Sequence, residues 1–167
     1  MIDQQAALGV ATTRWEDRLL AALGQLTAAP IRFEAAADVP QGGVLCALPA
    51  LLVLGLLRHH APHFAWSPGY YPLETIFLAI AFLALARVPS LEALRYEPPG
   101  EWGRLLGLDR IPEVRTLREK LSVLCAQGAS VRQWSSTLAR EWMEAQPESA
   151  GTLYIDGHVR VYHGHLT

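Results

Sequence analysis

Two long apolar runs dominate this chain: VLCALPALLVLGLL at 44–57 and LETIFLAIAFLALA at 73–86. Each run holds 14 residues, and a helix of that length spans roughly 21 Å, against roughly 30 Å for the hydrocarbon core of a bilayer. Pro49 interrupts the first run, and Glu74 lies inside the second. The runs therefore predict an antiparallel helical hairpin buried in the protein core, and a membrane hairpin is the alternative.

The composition of the 167 residues predicts one compact domain. Hydrophobic residues make up 51% of the chain and charged residues 18%, so the chain is not a disordered tail. The formal net charge is −2, which leaves no overall field to attract nucleic acid, so any DNA contact must be local. Cys46 and Cys125 lie in apolar runs, and the first residues lack a signal-peptide pattern. These features predict reduced thiols in a cytoplasmic protein.

Helical periodicity extends along most of the chain. A first helix is predicted by five apolar residues at helical spacing: Trp15, Leu19, Leu20, Leu23 and Leu26. A brief strand is expected at 31–34. Ser130 and Gln133 form a capping-box pattern at the start of a later helix. The predicted helices outside the two apolar runs lie at about 13–26, 91–96, 101–106, 112–127 and 130–146.

The segment 151–167 differs from the rest of the chain. Apolar and aromatic residues flank Asp156 and Gly157, and an Asp-Gly pair in this setting is typical of a β-hairpin turn. A single hairpin is marginal in water. We therefore predict a mainly α fold, a helical bundle over 1–150 with the apolar hairpin at its centre, which ends in a short β-hairpin at 151–167. Several helices followed by a single hairpin are typical of a fold that is truncated where its β-sheet begins.

The segment 101–127 has the outline of a helix-turn-helix unit, with Gly107 in the turn and Asp109 as a candidate cap of the second helix. Over 95–132, seven basic and five acidic residues give a local positive excess that the rest of the chain lacks. DNA contact and plain helical packing both remain open for this segment. The candidate DNA-binding residues are Arg110, Arg115, Arg118 and Lys120.

Histidines cluster twice, at 59–63 (HHAPH) and at 158–165. Three close histidines can bind a metal ion, but the spacing in HHAPH matches no common site and no carboxylate lies nearby in the sequence. We therefore interpret the first cluster as a polar loop at a helix end, with a metal site as the alternative. Solvent-facing strand positions are expected for the second, because its histidines alternate with apolar residues.

Asp156 also has two interpretations. As structure, it is the first residue of a tight turn. As chemistry, it is a carboxylate at the end of a first strand, where RNase H-like nucleases and transposases hold two divalent ions. A single carboxylate cannot hold two ions.

The sequence resembles a family of bacterial DDE-type transposases, in which a helical N-terminal region precedes an RNase H-like catalytic domain. The similarity is carried by GGVLCALPALLVLGLL (42–57), the segment 68–121, LAREWME (138–144) and GTLYIDGHVRVYHG (151–164). The resemblance implies that Asp156 is the first catalytic carboxylate and that Mg²⁺ is its metal. It also implies that the DNA of the element ends is the partner, and no small-molecule cofactor is expected.

The chain also departs from that family, because no acidic residue follows Asp156. The resemblance therefore implies an N-terminal fragment of a transposase, from a truncated or degenerate gene, that binds DNA or self-associates without strand-transfer activity of its own. The alternative hypothesis is a non-catalytic helical interaction protein or membrane-associated protein built around the apolar hairpin.

Overall fold

The computed structural model describes residues 9–150, and over that range the chain consists of helices, turns and extended connections. Two 3₁₀ helices, Gly42–Ala47 and Leu91–Tyr96, lie between the α-helices. The α-helices are α1 Trp15–Ala22, α2 Leu48–Val53, α3 His60–His63, α4 Leu73–Leu85, α5 Pro99–Leu105, α6 Val114–Ala126, α7 Gly128–Ala145 and α8 Pro147–Ala150.

Helix α4 lies at the centre of the core, as its sequence predicts. A helix that is apolar on every side has to be buried, and Ile76, Ala79 and Phe82 are almost completely shielded from solvent. The helix begins after Pro72, whose extended backbone precedes the first turn. It ends just before Arg87, which has a positive φ of 57°. No helix among residues 9–150 is long and apolar enough to cross a membrane.

The first apolar run does not form the other arm of a hairpin, so the predicted central hairpin is wrong. The 3₁₀ helix 42–47 leads into α2, which has only six residues and carries Pro49 in its first turn. Gly55 then turns the chain with a φ of 93°. Leu52, Val53 and Leu54 remain 45%, 74% and 55% exposed. Proline and glycine thus restrict this run to part of a 3₁₀ helix and one short α-helix, and only part of the run packs against the core.

The most deeply buried segment runs from α5 into α6. Trp102 and Leu117 are 1% and 0% exposed, and the turn between the helices buries Leu108 and Ile111 as well. Gly103 allows this turn to fold back, because a β-carbon there would lie 2.5 Å from the backbone nitrogen of Arg110. The turn is therefore part of the core and not a free loop.

The fold class is corrected to helical for the described part of the chain. The strand expected at 31–34 does not form: the Arg32 N–H donates one isolated hydrogen bond to the Gly107 carbonyl, 2.9 Å away. No β-strand occurs in residues 9–150. This part of the chain therefore offers no sheet that a β-hairpin could join. The β-hairpin predicted at 151–167 lies outside the described residues. The predicted fold class, a mainly α bundle that ends in a β-hairpin, is therefore replaced by a helical class for residues 9–150.

Helix α1 turns its large apolar residues outward. Trp15, Leu19 and Leu23 are 63%, 50% and 60% exposed. Arg14 instead faces the protein and donates to the Gly107 carbonyl over 2.8 Å and to the Arg32 carbonyl over 3.2 Å. Hydrogen bonds from arginine, and not leucine burial, attach this helix.

Helix α7 follows α6 with only Gln127 between them, and it begins two residues before the predicted cap, Ser130. The Gln127 side chain pairs with the backbone of Ala65: its Nε2 donates to the carbonyl over 3.0 Å, and its Oε1 accepts from the N–H over 2.8 Å. This pairing holds the junction of the two helices against the segment that follows α3. A glutamine outside the capping box thus fixes the start of α7.

Candidate nucleic-acid interface

The predicted helix-turn-helix segment contains α5 and α6, joined by residues 106–113. Helix α5 is surrounded by protein, with five of its residues buried, from Gly100 to Leu105. Helix α6 buries only one side, through Val114, Leu117 and Leu124. The opposite side of α6 is therefore the part of this segment that a ligand can reach.

Arg115 and Arg118 lie on the accessible side of α6. The Arg115 side chain is 90% exposed, and its Nε lies 3.0 Å from Glu119 Oε1. Arg118 forms an ion pair with Glu92 of the 3₁₀ helix 91–96, and both side chains are about half exposed. The hydrogen bond from Arg118 lowers the pKa of the Glu92 carboxyl. Solvent screens exposed pairs of this kind, so each contributes little to stability.

The structure does not bring Arg110 and Lys120 together with those two arginines. Arg110 precedes α6, and its Nη1 lies 3.6 Å from Glu113 Oε1. Lys120 lies on the other flank of the apolar stripe, with its Nζ 4.6 Å from the centre of the Trp66 ring. The four sequence candidates thus form one pair on a shared face and two separate side chains.

A cleft of about 370 Å³ borders the start of α6. Two arginines, Arg95 and Arg115, line it together with two glutamates, Glu97 and Glu113. The glutamates oppose the approach of a polyanion, because like charges repel at short range. This cleft is therefore a weaker candidate for phosphate contact than the outward face of α6.

Asp109 is not the cap of α6 but the centre of a buried ionic network. Its carboxylate accepts two hydrogen bonds from Arg18, from Nε and Nη2, each 2.8 Å long. The Tyr70 hydroxyl donates to the same carboxylate over 2.6 Å. The Arg18 guanidinium also lies 3.8 Å from the centre of the Tyr70 ring. This network joins α1 to the turn between α5 and α6.

The charge state of the network is fixed near neutral pH. Burial disfavours the charged form of Asp109, but hydrogen bonds from Arg18 and Tyr70 outweigh it and hold the pKa of the carboxyl below its usual value. Burial and the neighbouring Asp109 raise the pKa of Tyr70. A carboxylate and a phenol shifted in these directions exchange no proton at pH 7, so the network is a structural anchor.

Helix α7 presents a polar face that the sequence reasoning missed. On one side, Trp134, Leu138 and Trp142 pack against 54–64. Beside this contact, between His63 of α3 and the outward residues of α7, lies a shallow groove of about 500 Å³. The sequence carries a signal for this polar face, because polar residues recur at helical spacing opposite the two tryptophans, at positions 132, 133, 136, 137 and 140. The α7 residues that line the groove are Ala129, Arg132, Gln133, Ser136, Thr137 and Arg140.

The histidines of the HHAPH segment point to different partners. His59 pairs with Glu141, and His60 Nε2 lies 2.6 Å from Glu74 Oε1. His63 borders the α7 groove. Within residues 9–150, no group of three or more histidine, cysteine or acidic side chains is arranged to hold a metal ion. The histidines at 158–165 and Asp156 lie outside the described residues.

Comparison with known proteins links the chain to one family. A family model described as a transposase protein matches residues 9–167. No curated protein and no solved structure matches the chain.

Proposed function

The chain belongs to this transposase family, and on that basis we propose that its helical region binds duplex DNA at the ends of a transposable element. The family resemblance noted above favours the DDE type. The observation that carries the proposal is the outward face of α6, where Arg115 and Arg118 are open to solvent.

Both arginines are suited to phosphate. A guanidinium group matches phosphate geometry with two parallel hydrogen bonds. Their present partners, Glu119 and Glu92, lie in exposed ion pairs, which cost little to break. A duplex carries about one negative charge per 1.7 Å of its axis and so offers a denser acceptor array than a single carboxylate. The local excess of positive charge over 95–132 supports the same surface.

The double variant Arg115→Ala, Arg118→Ala is expected to weaken binding to duplex DNA and to reduce its salt dependence. Each lost phosphate contact lowers the slope of log K against log salt by about 0.9, so the slope should fall by about 2. Fluorescence anisotropy with a labelled duplex at several salt concentrations measures both quantities. The charge-matched control Arg32→Ala, Arg87→Ala removes two exposed arginines outside α6 and should leave the slope unchanged. Salt-independent binding by the unaltered chain, or none, would contradict the proposal.

We also propose that Asp156 is a metal-binding carboxylate with Mg²⁺ as its ion, on the strength of the DDE-type resemblance alone. Asp156 would be one of the residues that hold Mg²⁺, and the ion, when bound, would supply Lewis-acid chemistry for phosphoryl transfer. Two-metal sites need several carboxylates, and no acidic residue follows Asp156 in this sequence. The purified 167-residue chain is therefore expected to show no Mg²⁺-dependent cleavage or strand transfer of labelled element-end DNA. Robust activity that Asp156→Asn abolishes would overturn that expectation.

Self-association is a second proposal, favoured by the orientation of α1. Trp15, Leu19 and Leu23 form an exposed apolar stripe at a spacing of four residues on this helix. Exposed apolar patches of this kind are typical of protein contact surfaces. We infer that copies of the chain associate through this side of α1.

A further inference from the structure

We propose that the outward face of α7 is a second contact surface for the sugar-phosphate backbone of duplex DNA. This arginine face consists of the six groove-lining residues of α7: Ala129, Arg132, Gln133, Ser136, Thr137 and Arg140. The inference rests on the proposed DNA-binding function and adds to it a surface separate from the α6 pair.

The packing of α7 fixes which side faces outward. The indole N–H of Trp134 donates to the Arg58 carbonyl over 2.7 Å, and that of Trp142 donates to the Leu54 carbonyl over 3.0 Å. Leu138 lies between them and is 5% exposed. At about 3.6 residues per turn, residues 132, 136 and 140 then lie on the opposite side. The two indole hydrogen bonds hold the helix in this rotation.

The two arginines of the arginine face have no acidic partner among the described residues. Neither Arg132 nor Arg140 forms an ion pair with any residue in 9–150. The carboxylate of Glu141 points to the docked side, where it pairs with Arg58 over 2.9 Å. Glu144, one turn beyond Arg140, is the acidic residue of α7 nearest the outward side, at its C-terminal end. Phosphate can therefore bind both guanidinium groups without breaking an ion pair of the described chain.

The spacing of the two arginines suits a duplex. Eight residues separate them along α7, a rise of about 12 Å, which equals the approximate width of the major groove. Two guanidinium groups at this separation can contact phosphates on both edges of the groove. Gln133 and Ser136 lie between them and add amide and hydroxyl groups, which are common donors to phosphate and sugar oxygens.

The chemistry of the lining favours nucleic acid over a protein partner. The groove contains two arginines, an amide, two hydroxyl groups and a histidine, and its apolar residue is Ala129. Cores of protein interfaces are instead enriched in aromatic residues and methionine. The lining therefore matches the polar, positively charged character of DNA contacts.

The test compares the double variant Arg132→Ala, Arg140→Ala with the unaltered full chain, using a fluorescein-labelled 30-base-pair duplex of mixed sequence. We expect the slope of log K against log salt to fall by about 2. The variant Arg132→Lys, Arg140→Lys should keep most of the slope, because lysine still neutralises phosphate as a point charge. The control Arg32→Ala, Arg87→Ala has the same net charge as the alanine variant and should behave like the unaltered chain. Circular dichroism checks that all variants keep their helices.

The outcomes separate this inference from the proposed function. One outcome is that the unaltered chain binds DNA, the α6 alanine variant binds more weakly and the α7 alanine variant binds as before. In that case the proposed α7 contact is wrong and the proposed function stands. An equal loss in the lysine and alanine variants of α7 would also contradict the inference, since it indicates a packing role. If the unaltered chain binds no duplex at any salt concentration, both are wrong.

Discussion

Replacing Asp109 by alanine is expected to lower the free energy of unfolding by about 3 kcal/mol, because a buried carboxylate is removed from a partly buried ion pair while Arg18 stays. Arg18 would lose both of its carboxylate hydrogen bonds, and the Tyr70 hydroxyl would lose its acceptor. The variant Asp109→Asn keeps the size of the side chain and loses its charge, so it should be destabilised as well. The alanine substitution thus combines a lost charge with three donor groups that lose their acceptor.

Urea unfolding followed by circular dichroism measures this loss. Glu119→Ala is the matched control, because it also removes one carboxylate from an ion pair with an arginine, but on the exposed side of α6. It should change stability by less than about 0.5 kcal/mol. Equal effects of the Asp109 and Glu119 variants would show that the buried network contributes no more than a surface pair.

The same ion pair gives the stability of the fold a pH dependence. The pKa of Asp109 is lower in the folded chain than its usual value, which is about 3.9 in an unfolded chain. A lowered carboxyl pKa contributes stability that is fully present above the unfolded value and is lost as the pH falls toward the folded value. The unaltered chain should therefore lose stability below about pH 4, and Asp109→Asn should lack this component.

The second large effect is expected from Gly103→Ala. The added β-carbon would lie 2.5 Å from both the α-carbon and the nitrogen of Arg110, and 2.6 Å from the carbonyl carbon of Asp109. These are backbone atoms, so relief requires the whole turn to move. Overpacking of a rigid core costs about 3 kcal/mol at the upper end of its usual range. Displacing Asp109 would also stretch its hydrogen bonds to Arg18.

Gly43→Ala provides the control for this substitution. A β-carbon at Gly43 meets no atom within 4 Å, so this variant should differ little from the unaltered chain. Thermal unfolding of the two variants side by side measures the difference. A Gly103→Ala variant as stable as Gly43→Ala would mean that the turn between α5 and α6 can shift at little cost.

The helices were predictable where a single local pattern dominates. Helix α4 follows from a long apolar run bounded by Pro72 and Arg87-Val88-Pro89, with Glu74 in its first turn, and α6 follows from its apolar stripe. The orientation of α1 was not predictable, because Arg18 bonds to a residue 91 positions away. Periodicity reports which side of a helix is apolar and cannot reveal a distant carboxylate that binds the opposite side.

The candidate site was predictable in part for a similar reason. A local count of charges singles out α6, but it cannot show that Glu92 of another element pairs with Arg118. The same count overlooks α7, where two arginines are balanced by Glu141 and Glu144 in the sequence. The structure turns Glu141 to the docked side and leaves the arginines outward.

The Gln127 junction has a consequence for the shape of the DNA. The glutamine side chain ties the start of α7 to Ala65, so the angle between α6 and α7 is set by the protein. A duplex that contacts arginines on both helices must follow that angle. Sequences with flexible pyrimidine–purine steps bend at lower cost than stiff A-tracts. If the proposed DNA binding uses both helices and bends the duplex, element ends rich in such steps are expected to bind more tightly, even at base pairs that no side chain reaches.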